Sequence, residues 1–172
     1  DHIIVTGTIG DHGLSILAQR EGLRFSTPVI SDCAPLFAIG RELEQYQADV
    51  RCMRDPTRGG LATVLNEIAD QSGLNIIVRE KDIPVSPVVR GACDMLGMDP
   101  LYMANEGKMV IFVAPEKSTE IIKTLQTIPE CQQATIIGEL RKEPAGMVLI
   151  ETDLGAERIL GTLEGEHVPR IC

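Results

Sequence analysis

Short apolar runs alternate along the chain with segments whose apolar residues recur at helical spacing, and this alternation restricts the fold more than any other feature. The clearest run is KMVIFVA at residues 108–114, which predicts a strand. Further strands are predicted at residues 2–6, 50–53, 75–78, 135–137 and 147–150. Helices are predicted at residues 14–20, 36–46, 61–71, 88–96 and 115–127, with a last short helix and a tail after residue 155. We therefore expect an α+β (α/β-like) fold, a mixed sheet covered by helices.

Length and charge narrow the classes of function. The 172 residues are 44% hydrophobic, which suits a single domain with an ordinary core. The net charge is −9, and this acidic balance argues against nucleic acid as a partner because phosphate contacts need clustered Lys and Arg. No apolar run approaches the ~20 residues of a membrane span.

The first residues, DHIIV, contain neither an initiator Met nor the basic and apolar regions of a secretory signal. We interpret the chain as the later part of a longer one. The cysteines are odd in number and widely spaced, which argues against a disulfide framework or a zinc knuckle, so no metal site is expected from them and a reducing cytoplasm is the expected setting. They are Cys33, Cys52, Cys93, Cys131 and Cys172.

The loop GTIGDHG, residues 7–13, lies between a predicted strand and a predicted helix. Its glycines permit close backbone approach, and the following helix N-terminus attracts anions. Asp11 and His12 are candidates for a phosphate-binding cleft, with His12 a possible general acid. A tight turn with Asp11 as the helix cap explains the same residues equally well.

The loop in MRDPTRGGLA, residues 53–62, concentrates donors for phosphate or carboxylate before a helix. Arg54 and Arg58 supply guanidinium groups, Thr57 a hydroxyl, and Asp55 a carboxylate that fixes the arginines or helps to hold Mg²⁺. The alternative is a helix capped by Thr57 with Arg–Asp pairs on the surface. We favour a functional loop, because Pro56 and the two glycines lower the helix propensity of this segment. Residues that are unfavourable for the local structure often occur at functional sites.

A carboxylate, an amide and an amine are adjacent at Asn105, Glu106 and Lys108, just before the clearest strand. Glu106 is a candidate general base if it is partly buried. A polar turn around Gly107 is the simpler interpretation of the sequence alone.

The last residues of the sequence are PRIC, residues 169–172. Chain ends are usually mobile, so the thiol of Cys172 is expected to be exposed. Pro169 stiffens the approach, and Arg170 partly offsets the nearby α-carboxylate, which raises the pKa of a thiol. We interpret Cys172 as a reactive carrier thiol; an accidental terminal cysteine is the alternative.

MRDPTRGGLA, GTIGDHG, ANEGK (residues 104–108) and PRIC together resemble the HypE family of hydrogenase maturation factors. That family belongs to the aminoimidazole ribonucleotide synthetase superfamily, with selenophosphate synthetase and thiamine monophosphate kinase. The resemblance implies the C-terminal domain of the superfamily over residues 1–165, followed by a mobile tail, 166–172. It also implies that the N-terminal domain, which forms most of the ATP site and the dimer core of a homodimer, is absent from this chain.

The resemblance further implies an ATP-dependent carbamoyl dehydratase that makes the cyanide ligands of [NiFe] hydrogenases. The partner HypF transfers a carbamoyl group to Cys172, ATP and Mg²⁺ drive its dehydration to a thiocyanate, and the cyano group passes to iron on HypC–HypD. Glu106 is the implied base or positioning group for the nitrogen. The nucleotide, phosphate or cleft residues are expected to be Arg54, Asp55, Thr57, Arg58, Asn105, Lys108, Asp11 and His12.

Two other functions remain open. One is a relative in the same superfamily, such as a small-molecule kinase or a selenophosphate synthetase, which acts on diffusing substrates and needs no terminal thiol. The other is a non-catalytic binding module, since the chain alone is expected to lack most of an ATP site and to be inactive.

Overall fold

One mixed sheet organises the computed structural model, which describes residues 1–142, 146–152 and 154–162. The strands within these ranges are β1 (His2–Val5), β2 (Val50–Arg54), β3 (Asn75–Arg79), β4 (Val110–Val113), β5 (Thr135–Arg141), β6 (Val148–Glu151) and β7 (Glu157–Ile159). The α-helices are α1 (Asp11–Glu21), α2 (Phe37–Leu43), α3 (Gly60–Ser72), α4 (Pro87–Leu96) and α5 (Ser118–Leu125). The predicted fold class, a mixed sheet covered by helices, is confirmed.

The strand order is β2-β4-β1-β5-β3-β6-β7. Every neighbouring pair is antiparallel except β3 and β6, which run parallel. The central strand β1 places His2 opposite Val113 of β4 and Glu139 of β5. The described sheet is therefore buried at its centre and open at β2 and β7, its edge strands.

Alternate residues of β1 belong to two separate hydrophobic cores, because successive side chains of a strand point to opposite faces of the sheet. Ile3 and Val5 belong to the cluster that includes Leu61 and Leu65 of α3. Ile4 belongs to the opposite cluster, with residues of α2 and α5. Each such fully buried aliphatic side chain contributes about 1.5–3 kcal/mol. Both faces of the sheet are thus covered by helices.

The predicted helix at residues 88–96 corresponds to α4, which begins one residue earlier, at Pro87, and ends at the same residue, Leu96. Ser86 Oγ accepts a hydrogen bond from the Val89 N–H at 3.4 Å, Pro87 takes the first position of the helix, and Gly97 ends it with φ of 66°. Proline and glycine favour these two positions because one has a fixed φ and the other tolerates the left-handed region.

Other local predictions were wrong. Residues 157–159 form β7 and pair with β6, whereas the sequence predicted a short helix after residue 155. Asp11 and Thr57 cap no helix: the N-cap positions are Gly10 and Gly59, neither with a side-chain cap. The tail 166–172 and Cys172 lie outside the described residues. Among the described helices, none has the length and apolar character needed to cross a membrane.

Candidate functional site

Residues 104–108 form the turn before β4, and loops from distant parts of the chain meet on it. The buried amide of Asn105 joins two of these loops. Its Oδ1 accepts a hydrogen bond from the Gly10 N–H at 2.8 Å, and its Nδ2 donates to Pro56 O at 3.0 Å and to Met103 O at 2.9 Å. The Asn105 N–H also donates to Pro56 O, at 3.1 Å. One side chain therefore fixes the GTIGDHG loop and the RDPTRGG loop to the same turn.

Asn105 is fully buried, and both its donors and its carbonyl oxygen are used inside the protein. An amide with its groups occupied in this way has little left to offer a ligand. Asn105 therefore supports the loops from beneath and does not line the groove that they form.

The GTIGDHG loop is held by further contacts on its other side. The Gly13 N–H donates to Ala104 O at 3.0 Å, and a Cβ on Gly13 would lie 2.9 Å from the Met103 Cβ. Asp11 accepts hydrogen bonds from the Thr8 and Ser86 hydroxyls. The structure thus engages the carboxylate of Asp11 in local bonding.

A groove of about 420 Å³ opens above the RDPTRGG loop. Arg54 and Glu67 of α3 both line the groove and form an ion pair at 3.1 Å. No hydrogen bond or ion pair is recorded in the described ranges for the side chains of Asp55 and Arg58. The residues lining the groove are Arg54, Asp55, Thr57, Arg58, Thr63, Val64, Glu67 and Glu106.

The paired glycines of this loop have a steric explanation. Gly59 and Gly60 adopt φ of 70° and 62°, and a Cβ on Gly60 would lie 2.5 Å from Met103 O and 2.6 Å from Leu101 O. Only glycine fits such a position without backbone movement. The glycines by themselves are therefore no evidence of function, although they bring the start of α3 to the groove.

Glu106 reaches the groove from the turn, and its backbone is held by Asp32. The Glu106 N–H donates to Asp32 Oδ1 at 3.2 Å. Lys108 lies on the same side, with its Nζ 3.8 Å from Asp32 Oδ2, and both side chains are largely buried. The structure therefore brings Glu106 together with the RDPTRGG residues, whereas Lys108 is not among the residues that line the groove.

The comparisons with known proteins agree with this arrangement. The model of the AIR synthase related protein, C-terminal domain, matches residues 1–151. The chain belongs to this AIR synthase related C-terminal domain family. Carbamoyl dehydratase HypE of Bradyrhizobium diazoefficiens is 44% identical over the whole chain, and that of Escherichia coli is 38% identical. The chain spans 50% of the length of each of these relatives.

Solved structures extend the similarity to the fold of this AIR synthase related domain. A crystal structure of the hydrogenase maturation protein HypE matches with a TM-score of 0.93 and 45% identity, covering 99% of the chain and 55% of that protein. A crystal structure of HypE in complex with ATP matches with a TM-score of 0.93 and 44% identity, covering 99% and 52%. The resemblance to HypE that the motifs predicted is confirmed.

The predicted site residues of the AIR synthase related domain divide into two groups. Arg54, Asp55, Thr57, Arg58 and Glu106 share the groove. The others do not line it, and they are Asp11, His12, Asn105 and Lys108. The roles assigned to both groups stay predictions.

Sequence reasoning missed Asp32, Thr63 and Glu67. Asp32 lies in the irregular segment between α1 and α2, where no motif drew attention to it. Thr63 and Glu67 carry a usable signal, because their spacing of four residues on a predicted helix places them on one face beside the RDPTRGG loop.

The domain has two kinds of described cysteine. Cys93 and Cys131 are buried, while Cys33 and Cys52 are exposed. Burial, with the nearby Asp99 and Asp94, raises the pKa of the Cys93 thiol from 9.0 to about 11, and burial also raises the pKa of Cys131. The two buried thiols are therefore poor nucleophiles at neutral pH.

Magnesium is implied by the resemblance, so the fit of the described residues to it matters. Mg²⁺ prefers several oxygen ligands in octahedral geometry. In the described ranges, no group of three or more His, Cys, Asp or Glu side chains is arranged to hold a metal ion. These residues by themselves do not form a magnesium site.

Proposed function

We propose that this chain supplies the C-terminal half of an ATP-dependent carbamoyl dehydratase of the HypE type, acting in the maturation of [NiFe] hydrogenases. The observation that carries the proposal is the groove that joins Glu106 to the RDPTRGG loop, in a chain 44% identical to a carbamoyl dehydratase over its whole length. The relatives are about twice as long, so we propose that activity also requires the region that this chain does not match.

The reaction dehydrates a carbamoyl group that is bound to the Cys172 sulfur as a thiocarbamate. The amide oxygen attacks the γ-phosphorus of ATP, the bond to the bridging oxygen breaks, and ADP leaves. The nitrogen loses one proton as the phosphorylated intermediate forms. Loss of its second proton then lets the C≡N bond form while the C–O bond breaks and inorganic phosphate departs. The products are a thiocyanate on Cys172, ADP and phosphate.

Glu106 is the proposed base for the nitrogen. It lies on the groove, is partly buried, and its carboxylate has no hydrogen-bond or ion-pair partner recorded among the described residues. A carboxylate left unpaired at a groove is available to accept a proton from a bound group. Arg54 and Arg58 are placed on the same groove, where guanidinium groups stabilise phosphoryl oxygens.

The last described residues, which precede the tail, pack against α3, the helix that lines part of the groove. Leu160 is fully buried, and its carbonyl oxygen accepts a hydrogen bond from Asn66 Nδ2 of α3 at 2.9 Å. Asn66 immediately precedes Glu67, which lines the groove. The residues that follow Thr162 number about ten, and such a segment spans at most about 36 Å when fully extended. We propose that this segment carries the Cys172 sulfur to the groove that Glu106 lines.

The same proposal includes the protein partners, the oligomeric state, the cellular location and the ligands of the enzyme. A crystal structure of a HypE–HypF complex matches the chain with a TM-score of 0.91 and 38% identity, which supports HypF as a partner, and we propose that HypF donates the carbamoyl group. We also propose a homodimer in the cytoplasm that delivers the cyano group to HypC–HypD. ATP and Mg²⁺ bind mainly in the region that this chain does not match.

The test uses the complete enzyme loaded by its carbamoyltransferase partner and followed by peptide mass spectrometry. Glu106→Gln is expected to accept the carbamoyl group normally and then to lose water roughly 10²–10⁴-fold more slowly, the usual contribution of a general base. Glu116→Gln is the matched control, since Glu116 is exposed in a turn away from the groove. Dehydration at the normal rate by Glu106→Gln contradicts the proposed role. Activity that survives deletion of residues 170–172 favours a kinase-like relative instead.

A further inference from the structure

The segment between α1 and α2, residues 22–36, is an irregular connection, and connections of this length are usually functional or flexible. Part of it is attached to the functional site. Ser31 Oγ and His12 Nδ1 share a hydrogen bond at 2.8 Å, and Asp32 accepts from the Glu106 N–H. A Cβ on Gly107 would lie 1.8 Å from Asp32 O, so the backbone of this segment lies directly against the turn that carries Glu106.

The side chain of Asp32 is buried, and one of its carboxylate oxygens has no hydrogen-bond partner among the described residues. Only 4% of it is exposed, and Oδ2 is a buried oxygen with no hydrogen-bond partner in the described part of the chain. Lys108 Nζ is 3.8 Å away, too far for a hydrogen bond, and the Lys108 side chain is itself 10% exposed. Burying a carboxylate with one hydrogen bond and one loosely placed counter-charge costs stability. Fold stability alone therefore does not explain why an aspartate occupies this position.

We propose that Asp32 is a positioning residue for Glu106. Its Oδ1 fixes the Glu106 N–H, and the backbone contact at Gly107 fixes the next residue, so that the Glu106 carboxylate is held at the groove. The positive charge of Lys108 lies 3.8 Å from Asp32 Oδ2, and an acceptor that carries charge makes a stronger hydrogen bond than a neutral one. This inference rests on the proposed function, because the value of holding Glu106 depends on its role as a base.

The first arm of the test compares two substitutions of Asp32 in the complete enzyme. Asp32→Ala removes the acceptor, and it is expected to lower the rate constant of dehydration roughly 10- to 100-fold, the effect of misplacing a catalytic group by about 1 Å. Loading of Cys172 and the KM for ATP stay unchanged. Asp32→Asn keeps an acceptor oxygen for the Glu106 N–H at the same position. Asp32→Asn is therefore expected to stay within about threefold of wild type.

The second arm measures hydrogen exchange of the Glu106 amide and does not depend on activity. Asp32→Ala is expected to speed exchange at Glu106 roughly tenfold, the loss of a net ~1.4 kcal/mol hydrogen bond, whereas Asp32→Asn keeps the protection. The Gly13 amide, which donates to Ala104 O, is the internal reference and stays protected in both variants. Asp70→Ala, an exposed carboxylate on α3, is the matched control for both arms.

The outcomes separate the two proposals. Unchanged exchange at Glu106 in Asp32→Ala overturns the positioning role, and so does Asp32→Asn as slow in dehydration as Asp32→Ala. A raised KM for ATP with a normal rate constant also overturns it, because it assigns Asp32 to nucleotide binding. A wild-type enzyme that loads but never loses water refutes the proposed function, while the exchange data still decide whether Asp32 holds Glu106.

Discussion

Replacing Asn105 by Ala is expected to destabilise the protein more than replacing a buried asparagine that makes a single hydrogen bond. The change removes three side-chain hydrogen bonds, from the Gly10 N–H and to the carbonyls of Pro56 and Met103. Buried hydrogen bonds contribute a net ~0.5–1.5 kcal/mol each, and a donor left buried without a partner costs about 1–3 kcal/mol. Pro56 O keeps the bond from the Asn105 N–H. We therefore expect a loss of about 3–5 kcal/mol in the free energy of unfolding.

Urea unfolding followed by far-UV circular dichroism measures this loss. Asn75→Ala is the matched control. Asn75 is equally buried, but its Oδ1 accepts a single hydrogen bond, from the Met147 N–H, and its Nδ2 has no partner among the described residues. Its loss is expected to be about 1 kcal/mol. Equal losses for the two variants, or a loss below about 1 kcal/mol for Asn105→Ala, refute the claim that Asn105 joins the loops.

Asn105→Asp tests the same contacts through pH. One carboxyl oxygen still accepts from the Gly10 N–H, while the other faces two carbonyl oxygens and can stay there only with a proton on it. The pKa of this buried carboxyl is therefore raised above the ~3.9 of an unfolded aspartate. The folded state then binds more protons than the unfolded state above that pH. The variant is expected to lose stability relative to wild type as pH rises from about 4 to 7, and a flat profile contradicts the geometry.

The remaining predictions concern packing and thiol ionisation. Gly60→Ala is expected to cost at least ~2 kcal/mol in unfolding free energy because its Cβ meets two carbonyl oxygens, whereas Gly22→Ala, with similar φ and open space, is expected to cost about 1 kcal/mol. Equal losses contradict the close approach. Cys93 keeps its proton in the folded state up to a pKa of about 11, so its contribution to stability is lost as pH rises above about 9. At pH 8, iodoacetamide is expected to alkylate the exposed Cys33 and to spare Cys93 until the protein unfolds, and equal rates contradict the burial.

The regular elements could be predicted where the local signal was sufficient. The helix predicted at residues 88–96 is α4 apart from its first residue, and the apolar run before Ala114 marks the strand β4. β7 was missed because it is a three-residue edge strand that exists through its pairing with β6, and pairing partners leave no trace in local periodicity.

The candidate site could be predicted only in part, for the same reason. The RDPTRGG loop and Glu106 stood out as residue types that suit phosphate and proton chemistry. The joining role of Asn105 depends on partners 95 and 49 residues away, and that of Asp32 on a partner 74 residues away. No spacing rule links such residues. The glycines at 59 and 60 pointed to function in the sequence, yet the backbone of residues 101–103 explains them sterically.

The identity of the sulfur that carries the carbamoyl group decides the proposed function most directly. The complete enzyme, incubated with its carbamoyltransferase partner, carbamoyl phosphate and ATP, can be digested so that peptides containing each cysteine are weighed over time. We predict that the Cys172 peptide alone gains one carbamoyl group and then loses one water. A carbamoyl group found on Cys33 or Cys52, or a Cys172 peptide whose mass never changes, contradicts the account.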